Sequence, residues 1–188
     1  MSKKIIGFIV MLISFVMVVP LSAKGPGGGK NGQSLATLTD AEIHHITYMR
    51  EEEKLARDVY LTLSEGYPDA AIFINISESE QRHMDALKRL IEKYGLQDPV
   101  EDDAVGEFTN QVFTDLYIKL VGDGDVSYCD ALQVGIDIEL LDIEDIDKAL
   151  NDEDVMAQDV RRVLTNLLLG SENHLNAFTS QYDGNNCN

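Results

Sequence analysis

The sequence predicts an all-α domain built from four long amphipathic helices, with a long second-to-third connection that carries a short extra helix. Three observations carry this expectation. Apolar residues recur three and four positions apart over long runs. Helix start and stop signals bound those runs. The chain has no Trp and only 4 Pro to interrupt them.

The first long helix opens on Thr39, with Glu42 completing a capping box and Leu38 placed to pack on Ile43. Its inward stripe reads Ile46, Met49, Glu53, Ala56, Tyr60, Leu63, and Gly66-Tyr-Pro68 ends it. The second spans about Asp69 to Tyr94, with Phe73, Ile76, Glu80, His83, Leu87, Leu90 and Tyr94 inward and Gly95 as the stop. Within the 96–127 connection, Phe108, Val112, Leu116 and Leu120 predict the short helix over 108–121. The third long helix covers about Ser127–Leu150 on the stripe Leu132, Gly135, Glu139, Asp142, Ile143, Ile146, Leu150. The fourth is expected to start from a cap at Asn151 and run to about Gln181, with Val160, Val163, Leu167, Ser171, His174 and Phe178 inward. One long crossover among four long helices matches a ferritin-type bundle better than simple up-down-up-down order.

Residues 1–23 have the parts of a secretory signal: Lys3 and Lys4, the apolar run Ile5–Val19, and Pro20-Leu-Ser-Ala23 as a small-residue cleavage zone. The run is shorter than the roughly 20 residues of a spanning helix. Cleavage after Ala23 is therefore expected, with a secreted or periplasmic product and no stable membrane insertion afterwards. Residues 24–37 read as a flexible Gly-rich linker, 38–182 as the bundle and 183–188 as a C-terminal tail.

The formal charge of the whole chain is −18, and loss of Lys3 and Lys4 makes it more negative. Such a balance argues against nucleic acid as a partner. Two cysteines, Cys129 and Cys187, are too few for a thiolate metal site. They fall near the start of the third long helix and the end of the fourth, so an antiparallel pairing would let them bond and staple the tail. A monomer or homodimer is expected.

Every inward stripe is interrupted near its middle, by Glu53, by Glu80 and His83, by Glu139 and Asp142, and by His174. One buried polar residue is ordinary; carboxylates converging from several helices would repel and take up protons unless cations neutralised them. Two divalent ions match the four carboxylates, and the two imidazoles add neutral nitrogen ligands. The mixed O/N set suits iron first and manganese second. Glu80-x-x-His83 and Glu139-x-x-Asp142 each put both groups on one helix face. The alternative is a metal-free polar network in which Arg57 or Arg82 compensates charge. Glu51 reads as solvated, Glu52 as a reserve ligand, and His44 and His45 as surface histidines.

EKLARDVY, Glu53 to Tyr60, resembles the ExxARxxY face of rubrerythrins, and Glu80-Gln-Arg-His83 resembles the ExxH of ferritin-like di-iron proteins. MREEEKLARDVY, VGIDIELLDIEDI and GSENHLNAF more specifically resemble an uncharacterised group of prokaryotic ferritin-like domains. The resemblance implies Glu53 as the first-helix ligand, Glu80 and His83 as the second-helix pair, Glu139 from the third and His174 from the fourth. Ser171 stands where the usual fourth helix has the Glu of ExxH, and Asp142 is the candidate replacement by helical angle. Tyr60, two turns from Glu53 on the same face, is the candidate catalytic group, expected either to accept a hydrogen bond from the site or to donate one to a ligand carboxylate, with core packing as the alternative. The expected function is an exported protein with a di-iron centre, reacting with O2 or peroxide. A non-catalytic metal-binding or structural cell-envelope module of the same fold is the alternative.

Overall fold

The computed structural model describes residues 37–187. Signal residues 1–23 and nearly all of the linker therefore lie outside the described residues. Among the described residues there are five helices and no strand: α1 (Asp40–Gly66), α2 (Ala71–Tyr94), α3 (Gln111–Gly124), α4 (Tyr128–Asn151) and α5 (Gln158–Gly184). None of these helices is long and apolar enough to cross a membrane.

The helices pack as two pairs, α1 on α2 and α4 on α5; α2 also meets α5, and α1 meets α4. The α2–α4 connection carries α3 across the outside of α1 and α4. Two apolar clusters fill the interior. One gathers Leu55, Val59, Leu63, Phe73, Leu132 and Phe178, and the other Ile46, Met49, Leu87, Ile91, Ile146 and Leu164. The polar residues of the four stripes occupy the level between them.

Helix α1 begins as expected, with the Thr39 hydroxyl accepting from the Glu42 amide at 3.1 Å and Glu42 accepting from the Thr39 amide at 2.8 Å. The other Glu42 oxygen accepts from the amides of Met156 and Ala157, at 2.9 and 2.6 Å. That contact corrects the expected start of the last helix. Asn151 instead ends α4, the Asp152 carboxylate turns the chain by accepting from the Asp154 amide, and Val155 is buried. Helix α5 then starts without a side-chain cap of its own. Glu42, far away in sequence, takes up orphan amides at that end.

The short helix starts three residues later than its periodicity suggests, because Asn110 caps it by accepting from the Val112 amide. In that frame Phe113 and Leu120 are buried, whereas Val112 is 48% exposed. Glu51 is not solvated. One of its oxygens accepts from the Thr109 and Asn110 amides, at 2.8 and 3.1 Å, and so holds the entry to α3.

The crossover also explains why residues 49–60 of α1 are all buried despite being largely charged. Asp58 accepts from Lys54, Arg57 and the Gly106 amide, while Lys54 donates to the Ala104 carbonyl. Arg57 reaches Gln81 and Asp103. Pairing to backbone and to opposite charge satisfies groups that burial would otherwise penalise. At the other end of the molecule Cys129 and Cys187 are disulfide-bonded, with their Cα atoms 5.3 Å apart, and tie the tail to the start of α4.

Candidate metal centre

Four helices bring their mid-stripe polar residues to one level. Glu53 comes from α1, Glu80 and His83 from α2, Glu139 and Asp142 from α4, and Ser171 and His174 from α5. All four carboxylates are at most 2% exposed. The imidazoles are the more accessible members, with side chains 12% and 10% exposed at His83 and His174.

Two triads form. Glu53, Glu80 and His83 offer ligand atoms within 4.8 Å of one another, and so do Glu80, Glu139 and His174. Glu80 belongs to both, facing His83 Nδ1 with one oxygen at 2.9 Å and His174 Nδ1 with the other at 2.8 Å. His83 Nδ1 is also 3.1 Å from Glu53, and His174 Nδ1 is 3.4 Å from Glu139. The two rings lie with centroids 5.5 Å apart.

Gly170 makes room for one of those rings. A Cβ at that position would lie 2.4 Å from His83 Nε2, so only glycine lets the imidazole seat against α5 with Nδ1 turned inward. Sequence reading missed this residue. The signal was a glycine inside a long amphipathic run, a position where a packing reason is the usual explanation.

Tyr60 sits beside the second triad, its hydroxyl donating to Glu139 at 2.6 Å with the Gly135 carbonyl at 3.4 Å. Asp142 falls in neither triad. The Ser171 hydroxyl donates to its Oδ2 at 2.7 Å, and its Oδ1 is buried without a partner. Ser171 of α5 thus supplies a donor to a carboxylate carried by the neighbouring helix α4.

Electrostatics divides the cluster. Burial works to raise Glu80, but His174 and His83 outweigh it and hold Glu80 at about 2. Burial would lower His83, yet Glu53 and Glu80 lift it to about 11; His174 rises to about 9 against the same opposition, through Glu139 and Glu80. Burial and then the Glu80 charge push Glu139 up to about 8 and Asp142 up to about 7. Glu53 is driven well above the carboxylate range by burial and by Asp142. Without a cation, protons must stand in for positive charge.

The donor set fits a pair of cations. Both Glu80 oxygens, one oxygen each of Glu53, Glu139 and Asp142, and His174 Nδ1 are buried without an aligned hydrogen-bond partner, although several lie within 3.4 Å of one another. Among the described residues neither Arg57 nor Arg82 neutralises the centre: Arg57 is engaged by Asp58, Gln81 and Asp103, and Arg82 is exposed. His45 bonds Asp152 at the end of the molecule, His44 is exposed, and Glu172 faces away from the centre.

An all-helical protein with a buried cluster of carboxylates and imidazoles able to hold metal is thus the class that fold and site define. Residues 42–187 match the family described as uncharacterized protein domain (DUF2202), and the chain belongs to it. It is similar to the uncharacterized protein MJ0754 of Methanocaldococcus jannaschii, with 52% identity over 141 residues, covering 75% of each chain. A solved structure, the crystal structure of hypothetical protein MJ0754 from Methanococcus jannaschii, superimposes with a TM-score of 0.76 at 46% identity, covering 85% of this chain and 87% of that one.

Proposed function

We propose that this protein is a ferritin-like four-helix bundle holding two divalent metal ions, iron before manganese, and that it reacts with O2 or peroxide. The observation that carries the reading is Glu80, a wholly buried carboxylate shared by two triads, each oxygen facing a different imidazole. Glu53, Glu80 and His83 would hold one ion, and Glu80, Glu139 and His174 the other. Asp142 would add its free oxygen from α4, with Ser171 steadying the remaining one. Iron at such a centre supplies one-electron chemistry toward oxygen species.

The chain's own residues set the conditions. Tyr60 donates to Glu139, fixing the orientation of that carboxylate and standing ready as a proton donor inside the buried layer. The aliphatic and aromatic clusters above and below keep bulk water away. The imidazole edges, the most exposed part of the site, offer small reactants an approach between α2 and α5. The long crossover and the sequence resemblance support the ferritin-like description, and the N-terminal residues support an exported, secreted or periplasmic protein acting as a monomer or homodimer.

Metal analysis of the purified protein, joined to oxygen consumption on added iron(II), tests this reading. About two equivalents, with consumption above autoxidation, are expected. Two bound ions without oxygen consumption would leave the non-catalytic metal-binding role. Fewer than two would remove the di-metal centre itself.

A further inference from the structure

Glu52 has no part in either triad, yet it is among the most deeply buried carboxylates in the molecule. It is 3% exposed, and neither oxygen has a hydrogen-bond partner. Burying a carboxyl without a partner costs stability, so a fold that keeps one without use is working against itself. Its neighbour Glu53 turns toward α2, where it meets His83. Glu52, one position back and about 100° around the helix, turns toward α4.

There it faces the carboxylates of Asp142 and Asp145, and it stands within hydrogen-bonding reach of Asp145. Asp145 differs from the others in reaching solvent, with its side chain 18% exposed. The charges of Glu52, Asp145 and Asp142 are all felt at the half-buried phenol of Tyr48, one turn before Glu52, which stands beside the same carboxylates. Outside them, Lys148 donates to Asp145 at 2.8 Å and pairs with Glu144 at 3.0 Å; all three belong to α4. Carboxylates thus run inward from the surface: Glu144 and Asp145, then Glu52, then Asp142 and Glu53 at the centre.

We propose that Glu52 and Asp145 form a transit site for divalent cations, through which ions pass from solvent between α1 and α4 to the centre. Resting on the di-metal reading, this adds the route by which that centre fills. Two facing carboxylates bind a hard cation weakly, since oxygen-ligand ions ordinarily collect further donors. Weak binding suits a position that must release its ion. Lys148 occupies the outer end as an exchangeable counter-ion, which an arriving cation displaces from Asp145. Entry on this side is separate from the imidazole side between α2 and α5.

The experiment is stopped-flow loading of the metal-free full-length mature protein with cobalt(II), followed by its visible absorption, with bound equivalents counted at the end. Glu52→Gln and Asp145→Asn should each load roughly tenfold more slowly at low ionic strength and reach the same final stoichiometry as the parent. Lys148→Met, a surface change, should load about twofold faster. Unchanged loading rates in both carboxylate variants would overturn the transit site while leaving the centre intact. A lower final stoichiometry in Glu52→Gln would also overturn it, by making Glu52 a ligand of the centre. Failure of the parent itself to take up cobalt would sink the di-metal reading and the route with it.

Discussion

Replacing Gly170 by Ala sets two effects of known sign against each other. In the middle of a helix, Gly to Ala ordinarily stabilises by about 1 kcal/mol. Here the new methyl would meet His83 Nε2 at 2.4 Å and Cε1 at 2.5 Å. Comfortable contacts lie near 3.5 Å, so the ring must withdraw by about 1 Å. A site that tolerates roughly 0.5 Å of misplacement cannot keep Nδ1 in position through such a shift. Glu53, Glu80 and His83 should therefore lose about 10- to 100-fold in metal affinity, whereas Glu80, Glu139 and His174 should lose much less. Metal titration followed by calorimetry would show one strong step and one weakened step in place of two strong ones. Gly122→Ala, with open space around its added carbon, is the control and should show only the helix-propensity gain. Two unaltered strong steps in Gly170→Ala would refute the claim that His83 is seated by that glycine to face a metal.

Other perturbations have equally definite outcomes. Ser171→Ala removes the donor to Asp142 and should destabilise the metal-free protein by about 1–3 kcal/mol in chemical denaturation, because it leaves a second buried oxygen unpaired. Tyr60→Phe strips the donor from Glu139; oxygen consumption should fall with two metals still bound, and unchanged consumption would remove Tyr60 from the chemistry. The Cys129–Cys187 bond closes a separation of 58 residues, so Cys129→Ser with Cys187→Ser should lower stability by about 2–4 kcal/mol, checked by the loss of any reductant effect on Tm.

The pH dependence of the metal-free protein has a worked sign. Glu139 and Asp142 stand at about 8 and about 7, above their ordinary values, so the folded state keeps protons that the unfolded chain releases. Their contribution falls as pH rises from about 4 to 8. His174 and His83 add stability that is complete below 6.5 and is lost as pH rises through about 9 for His174 and about 11 for His83. Glu80 acts oppositely, losing its contribution as pH drops from 4.5 toward 2. The Tm without metal should decline from pH 5 to 9, while the rise on adding metal should grow over that range, since ligands must shed protons to bind. A metal-free Tm that increases across this range would contradict the assignment.

How far the sequence could be read depended on whether a residue's partner lay on its own helix face. The inward stripes of α1 and α2 were legible, because a regular helix places Glu53 below Tyr60 and Glu80 below His83 whatever surrounds it. The disulfide followed from the antiparallel order of α4 and α5. Glu51 and Glu42 were misread or half-read for one reason: each takes up backbone amides of a segment far away in sequence, and helical angle carries no information about that. Glu51 in particular looked solvated because the crossover that covers it leaves no periodic trace. Gly170 was visible only as an interruption, since its purpose belongs to a ring on another helix. The shared role of Glu80 needed coordinates, because spacing reveals that two residues face one way but not that a third and fourth helix meet them there.

The most direct test of the centre is a crystal of the protein equilibrated with manganese(II) and measured for anomalous scattering. Two peaks are expected, roughly 3.5–4 Å apart, with one oxygen of Glu80 directed to each, His83 beside the first and His174 beside the second. A single peak, or peaks placed away from Glu80, would contradict the two-metal centre.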